Sequence, residues 1–116
     1  MIHEMRLNDV PFRMIKSGKK DIEMRLFDEK RRAISAGDTI KFSNVNTSEV
    51  LFSRVKQVYI FENFEALYSK FDKTRIGYMP DETPDPEDMK EYYTEEDIDI
   101  HGVCGIEIEL IDDFSG

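Results

Sequence analysis

The stretch Gly18-Lys19-Lys20-Asp21-Ile22-Glu23-Met24-Arg25 concentrates residue types able to do chemistry. Residues 21–27 alternate, with Ile22, Met24 and Leu26 on one side and Asp21, Glu23, Arg25 and Phe27 on the other. That is the period of a half-buried strand. Glu23 and Arg25 are two residues apart and so leave the strand by one face, opposite the apolar one. Lys19 and Lys20 fall where a helix ends and the strand begins. Two cations and a carboxylate around a concavity suit a polar ligand carrying both donors and acceptors, such as a nucleobase with a phosphate or carbonyl nearby. The same spacing equally describes a solvated outer face, where ion pairs contribute only about 0–1 kcal/mol. Spacing does not choose between the two.

These residues need elements to hold them. Residues 2–7 form a strand with His3, Met5 and Leu7 on one face. Asn8 or Asp9 caps a short helix that tolerates Pro11 in its first turn and ends at Gly18. Asp28 to Arg32 is a charged turn or a single helical turn. Ala36-Gly37-Asp38 turns into a strand over 39–45, and a longer strand runs from about Val50 to Phe61, with a bulge or bend around Val55 to Val58. Phe64, Leu67, Tyr68 and Phe71 make a helical stripe capped by Asn63. Residues 72–84 form a long loop. Asp85-Pro86 starts a helix carrying Met89, Tyr92 and Tyr93 on one face, and Thr94 to Asp97 has capping-box spacing. The last strand places Cys104, Ile106, Ile108 and Leu110 inward, with Val103, Glu107 and Glu109 outward.

Strands outnumber helices and are joined mostly by short turns, which indicates a small α+β domain around a curled sheet or barrel. At 116 residues the chain has room for one core, and 40% hydrophobic content is enough to build it. One cysteine allows no internal disulfide, and nothing resembles a secretory signal, so a reducing cytoplasm is the expected compartment. No apolar run is long enough to span a membrane. Two histidines cannot build a His-rich metal site, and neither a metal nor another cofactor is expected.

The net charge of -9 argues at first against a polyanionic partner. Its layout changes that conclusion. Residues 1–32 hold nine basic and six acidic residues, residues 33–80 six and five, and residues 81–116 one basic residue against 14 acids. The basic two thirds carry Lys19, Lys20, Glu23 and Arg25. The layout suits a short single strand or a single nucleoside and disfavours tight binding to a long duplex such as DNA.

The helix ending in Ser17-Gly18-Lys19-Lys20, then Ile22-Glu23-Met24-Arg25, Ala36-Gly37-Asp38-Thr39-Ile40-Lys41-Phe42, Tyr92-Tyr93 and Gly102-Val103-Cys104-Gly105-Ile106-Glu107-Ile108 together resemble the ASCH domain of the PUA-like superfamily over nearly the whole chain. The resemblance implies a single domain over residues 1–116. Its fold would be a small β-barrel of about five to six mostly antiparallel strands with short flanking helices. It also implies a cleft beside the barrel that takes RNA or a nucleotide-like ligand. Carried over residue by residue, Lys20, Glu23 and Arg25 would line that cleft, with Lys19 beside them.

Small amidohydrolases of this fold that act on N4-acetylcytidine resemble the chain at Gly18, Lys20 and Arg25. They place a threonine nucleophile where this chain has Glu23; Glu82 stands in the region where their catalytic glutamate falls.

Three functions follow. The first is binding of single-stranded RNA or a modified nucleoside, with Tyr78, Tyr92 and Tyr93 available to stack a base. Helical spacing also makes Tyr92 and Tyr93 covers for a core. The second is a hydrolase or ribonuclease in which Lys20 and Glu23 supply the acid and base. The third is a protein-interaction domain presenting the acidic surface of residues 81–101. Glu95, Glu96, Asp97 and Asp99 lack calcium-loop spacing and read as a solvated segment. Cys104 with His101 three residues away would form a thiolate–imidazole pair only if exposed, and its apolar strand face predicts an inert buried thiol. His3, also on an apolar face, reads as a satisfied core or edge residue.

Overall fold

The computed structural model describes residues 1–111. Five strands, β1 (Ile2–Leu7), β2 (Ile22–Leu26), β3 (Thr39–Asn44), β4 (Val50–Phe61) and β5 (Val103–Leu110), form one sheet in the order β1-β3-β4-β5-β2. β1 and β3 run parallel, and every other pair is antiparallel. The sheet curls into a half-barrel whose two edges are β1 and β2. The helices are α1 (Asp9–Lys16), α2 (Glu29–Arg32), α3 (Phe64–Lys70), a 3-10 helix over Pro86–Glu91, and α4 (Glu95–His101). The class is α+β, as the alternation and turn spacing indicate.

Local chemistry sets the element ends. Gly18, at φ +82°, leaves α1 in the left-handed region where a side chain would be strained. The side chains of Asp28, Asn63, Asp85 and Thr94 each accept a main-chain N–H in the first turn that they open. Asn8 makes no such cap. The Asp9 amide is bonded instead by Asn46 Oδ1 at 2.9 Å, and buried Asn44 donates to the Asp9 carboxylate at 2.9 Å. The expected irregularity in β4 lies between Val55 and Gln57, where its register on β5 shifts.

Two apolar clusters lie on the two faces of the curled sheet. Inside the curl, Met5, Leu7, Phe12, Ile15, Ile40, Phe42, Val55, Cys104, Ile106 and Ile108 pack together. On the other face, Ile22, Met24, Leu26 and Val103 meet Phe64, Leu67, Phe71, Met89 and Ile98 from the helices. β2 is therefore covered on both sides. This corrects the half-buried reading of residues 21–27: Glu23 is buried, and Arg25 keeps only a narrow window to solvent. Glu23 is directly opposite Ile106 and Arg25 directly opposite Cys104, so both side chains share the concave face with that cluster.

The same layering corrects the last strand at its two ends. Val103 is fully buried under the helices, and Leu110, beyond the last residue paired with β2, is exposed. Tyr92 is a further correction. The segment is a 3-10 helix that ends at Glu91, and Tyr92, the residue that leaves it, stands 65% exposed while Tyr93 stacks on Phe64 at 5.9 Å. His3 is satisfied by Asp38 at 2.8 Å. Among the described residues, no helix is long and apolar enough to cross a membrane.

Cys104 is fully buried, and its Sγ points at the Leu26 carbonyl at 3.9 Å. Burial pushes its thiol up to about 12. In native protein at pH 8 a thiol reagent should therefore label Cys104 more than about 100-fold more slowly than in denaturant. Fast native labelling would contradict the buried position.

Candidate functional site

Lys20, Glu23 and Arg25 converge in one cluster. Lys20 Nζ lies 3.1 Å from Glu23 Oε1, and Arg25 Nη2 and Nε lie 2.7 and 2.9 Å from Glu23 Oε2. Glu23 is only 2% exposed, whereas Lys20 and Arg25 keep narrow windows to solvent. Burial by itself would raise the Glu23 carboxyl, but the attraction of Lys20 and Arg25 outweighs it and holds the carboxyl below its ordinary 4.5. Burial also opposes the Arg25 charge, and Glu23 reverses that effect, raising the guanidinium above its ordinary value. The three groups stand as two cations around one ionised carboxylate.

Backbone contacts aim the cluster. The Lys20 amide bonds to the Met14 carbonyl at 3.1 Å, which folds the end of α1 onto the start of β2. The Arg75 carbonyl takes the amides of both Asp21 and Ile22, while its guanidinium grips Asp21 at 2.9 and 3.1 Å and Glu107 at 2.9 Å. This brings Gly77 against the Lys20 stem. A Cβ there would meet Lys20 Cδ at 3.3 Å, and Gly77 sits at φ +111°. Arg25 then reaches across the open seam of the half-barrel, where Nη2 donates to the Arg6 carbonyl of β1 at 3.2 Å.

A cleft of about 460 Å³ opens at this seam, within the usual size range for small-molecule sites. β1, α1 and the residue between them contribute Arg6, Asn8, Val10 and Met14, Lys20 with Glu23 and Arg25 of β2 forms the charged floor, and residues 76–93 contribute Tyr78, Glu82, Asp88, Glu91, Tyr92 and Tyr93. Lys19 does not line it; its side chain is exposed on the turn, so the pair Lys19-Lys20 is split between solvent and cleft. Exposed Arg6 is the cleft cation that strand alternation gave no reason to single out, since only the seam geometry brings β1 beside β2. Asp88 and Glu91 belong to the acidic segment of residues 81–101, and the fold turns them to the cleft. Among the described residues no group of three or more His, Cys, Asp or Glu could hold a metal.

Hydrogen-bonding capacity defines what the floor can bind. Among the described residues, two of the three Lys20 protons and both protons on Arg25 Nη1 have no acceptor, and Glu23 Oε1 accepts from Lys20 alone. The free capacity is therefore mostly donor, with one acceptor position left beside it. A carbonyl or ring nitrogen next to an N–H matches that pattern.

Glu23→Gln would leave two desolvated cations without a counter-charge and should cost about 3–5 kcal/mol in denaturant unfolding. Replacing the whole cluster (Lys20→Met, Glu23→Leu, Arg25→Met) should cost less, because no charge is then left unpaired. The Glu23 contribution is present above pH 4.5 and is lost as the pH falls through its depressed folded value. Between pH 5 and 2 the wild type should therefore lose stability more steeply than Glu23→Gln, which thermal unfolding against pH measures.

The ASCH domain family model matches residues 5–112. The crystal structure of hypothetical protein PH0355 from Pyrococcus is 35% identical at a TM-score of 0.81, covering 96% of this chain and 100% of that one. The solution structure of protein PF0455 from Pyrococcus furiosus is 33% identical at a TM-score of 0.74, covering 97% of this chain and 100% of that one. No curated protein matches the chain. With the family model spanning nearly its whole length and two solved structures sharing both fold and a third of its residues, the chain belongs to the ASCH domain family.

Proposed function

We propose that this protein binds single-stranded RNA or a modified nucleoside, with a base seated on the Lys20–Glu23–Arg25 floor of the seam cleft. The observation that carries this reading is the floor itself: buried, ionised, and left with several donors and one acceptor unused. A base edge presenting a carbonyl beside an N–H uses both kinds of position. Tyr92, exposed at the cleft, is the ring best placed to stack on it, whereas Tyr93 already has one face on Phe64. The ASCH family is PUA-like and associated with RNA binding, which supports the same ligand class.

Binding is favoured over turnover for a physical reason. A carboxylate held ionised between two cations is a weak acid catalyst and a weak nucleophile, because its charge is already stabilised where it stands. Glu82 also lines the cleft, but its Oε1 is engaged by the Met79 amide at 2.6 Å. The acidic segment beside the cleft disfavours a long duplex, whose backbone would have to pass it.

Fluorescence anisotropy with short single-stranded RNAs, and calorimetry with a nucleoside panel, each at two salt concentrations, test the reading. Saturable binding is expected. Lys20→Met should weaken it at least about tenfold, the scale of one lost charge-assisted hydrogen bond. Lys19→Ala should change it little, and duplex DNA of equal length should bind more weakly than the single strand. Absence of saturable binding to every ligand, or indifference to Lys20→Met in a folded variant, would overturn it.

A further inference from the structure

The floor is only part of the cleft's electrostatics. The wall built by residues 76–93 brings in Glu82, Asp88 and Glu91, and among the described residues none of the three forms an ion pair. Lys90, the single cation between residues 81 and 101, is engaged by Glu87 and Glu95. The wall is also fixed in place. Tyr78 donates to Asp88 Oδ2 at 2.6 Å and shares a 3.0 Å hydrogen bond with Tyr68, and Lys73 Nζ ties the carbonyls of Pro80 and Glu82 at 2.7 and 2.8 Å. Together the cleft residues carry three cations, Arg6, Lys20 and Arg25, against four carboxylates. One carboxylate, Glu23, already neutralises part of the floor.

A phosphate entering this cleft meets partly satisfied cations and three exposed carboxylates that have no ion-pair partner among the described residues, and their summed negative field disfavours it. Ionised carboxylates only accept hydrogen bonds, so the wall suits donors. The hydroxyls of a ribose are such donors, and a neutral base supplies what the floor lacks. We propose that the cleft selects an uncharged nucleoside over its 5′-phosphorylated form. The base sits on the Lys20–Glu23–Arg25 floor, the ribose hydroxyls meet the wall, and Glu82, Asp88 and Glu91 exclude phosphate by repulsion. This rests on the base-binding reading of the same cleft and narrows it from nucleic acid to a free nucleoside. Tyr78 is a positioning residue, acting through Asp88.

Calorimetry with adenosine, cytidine, guanosine and uridine and with each 5′-monophosphate tests the inference on the full chain. The wild type should bind at least one nucleoside about tenfold or more tightly than the matching monophosphate. In the isosteric triple variant Glu82→Gln, Asp88→Asn, Glu91→Gln the two affinities should converge to within about threefold, chiefly because the monophosphate gains. These side chains are exposed and the replacements keep their acceptor oxygens, so thermal unfolding of the variant should stay near wild type.

A second readout needs no variant. Added salt should strengthen wild-type binding of the monophosphate by screening repulsion, the reverse of ordinary phosphate recognition. Equal or tighter binding of the monophosphate, a preference unchanged in the triple variant, or monophosphate binding that weakens with salt would overturn the inference and leave base binding intact. No binding of any nucleoside or monophosphate to the wild type would overturn both.

Discussion

The cleft depends on one carboxylate that has almost no water. Glu23 is 2% exposed, and an ionised group so placed carries a desolvation cost of several kcal/mol unless charge is brought to it. Lys20 and Arg25 bring that charge, one to each oxygen. Satisfying Glu23 constrains the neighbours in turn. Lys20 must lie along the surface of Gly77, where a β-carbon would press on its stem at 3.3 Å. Arg25 must lie at the seam, where it also bonds the Arg6 carbonyl at 3.2 Å and spans a gap that no strand pairing closes. The ion cluster and the open seam are thus one feature. A fully closed sheet would place backbone where Arg25 reaches and leave no cleft.

The double burial of β2 follows from the layers around it. The helical layer of α3, the 3-10 helix and α4 takes Ile22, Met24 and Leu26, and the curl of the sheet takes Glu23 and Arg25. Arg75 links this strand to the loop that forms the far wall, since its carbonyl holds the amides of Asp21 and Ile22 and its guanidinium holds Asp21 and Glu107. One residue therefore sets the position of the basic floor relative to the acidic wall. The wall is braced separately by Tyr68, Tyr78 and Lys73. Cations and carboxylates in a common cleft would attract one another and collapse it if both sides were free to move; the bracing keeps Asp88 on Tyr78 and the floor on Glu23.

Much of the local structure was legible in the residues. The caps at Asn63, Asp85 and Thr94, the break at Gly18 and the β4 bulge depend on interactions within a few residues, which spacing encodes directly. The buried Cys104 and the satisfied His3 followed from the faces of their strands. The family resemblance brought Lys20, Glu23 and Arg25 forward together, and they do converge. Lys19 and Tyr92 were less legible. Adjacent lysines look alike in sequence, yet only one is pinned by the Met14 carbonyl with its stem against Gly77. Tyr92 shares a helical spacing with Met89, yet the helix ends at Glu91, so the spacing does not carry Tyr92 onto the core.

By itself, then, the sequence determined most of the elements and their ends, and that Glu23 and Arg25 share a face, because these depend on backbone period and short-range hydrogen bonds. Only the tertiary structure decided that this face is an interior one. Alternation separates two faces of a strand but does not say whether the second meets water or the concave side of its own sheet. That depends on the curl joining β2 to β5 and bringing β1 across the seam, contacts made by residues far apart in the chain. The same long-range geometry brought the acids of residues 82–91 to the cleft, where net charge counted along the chain had described only an acidic tail third.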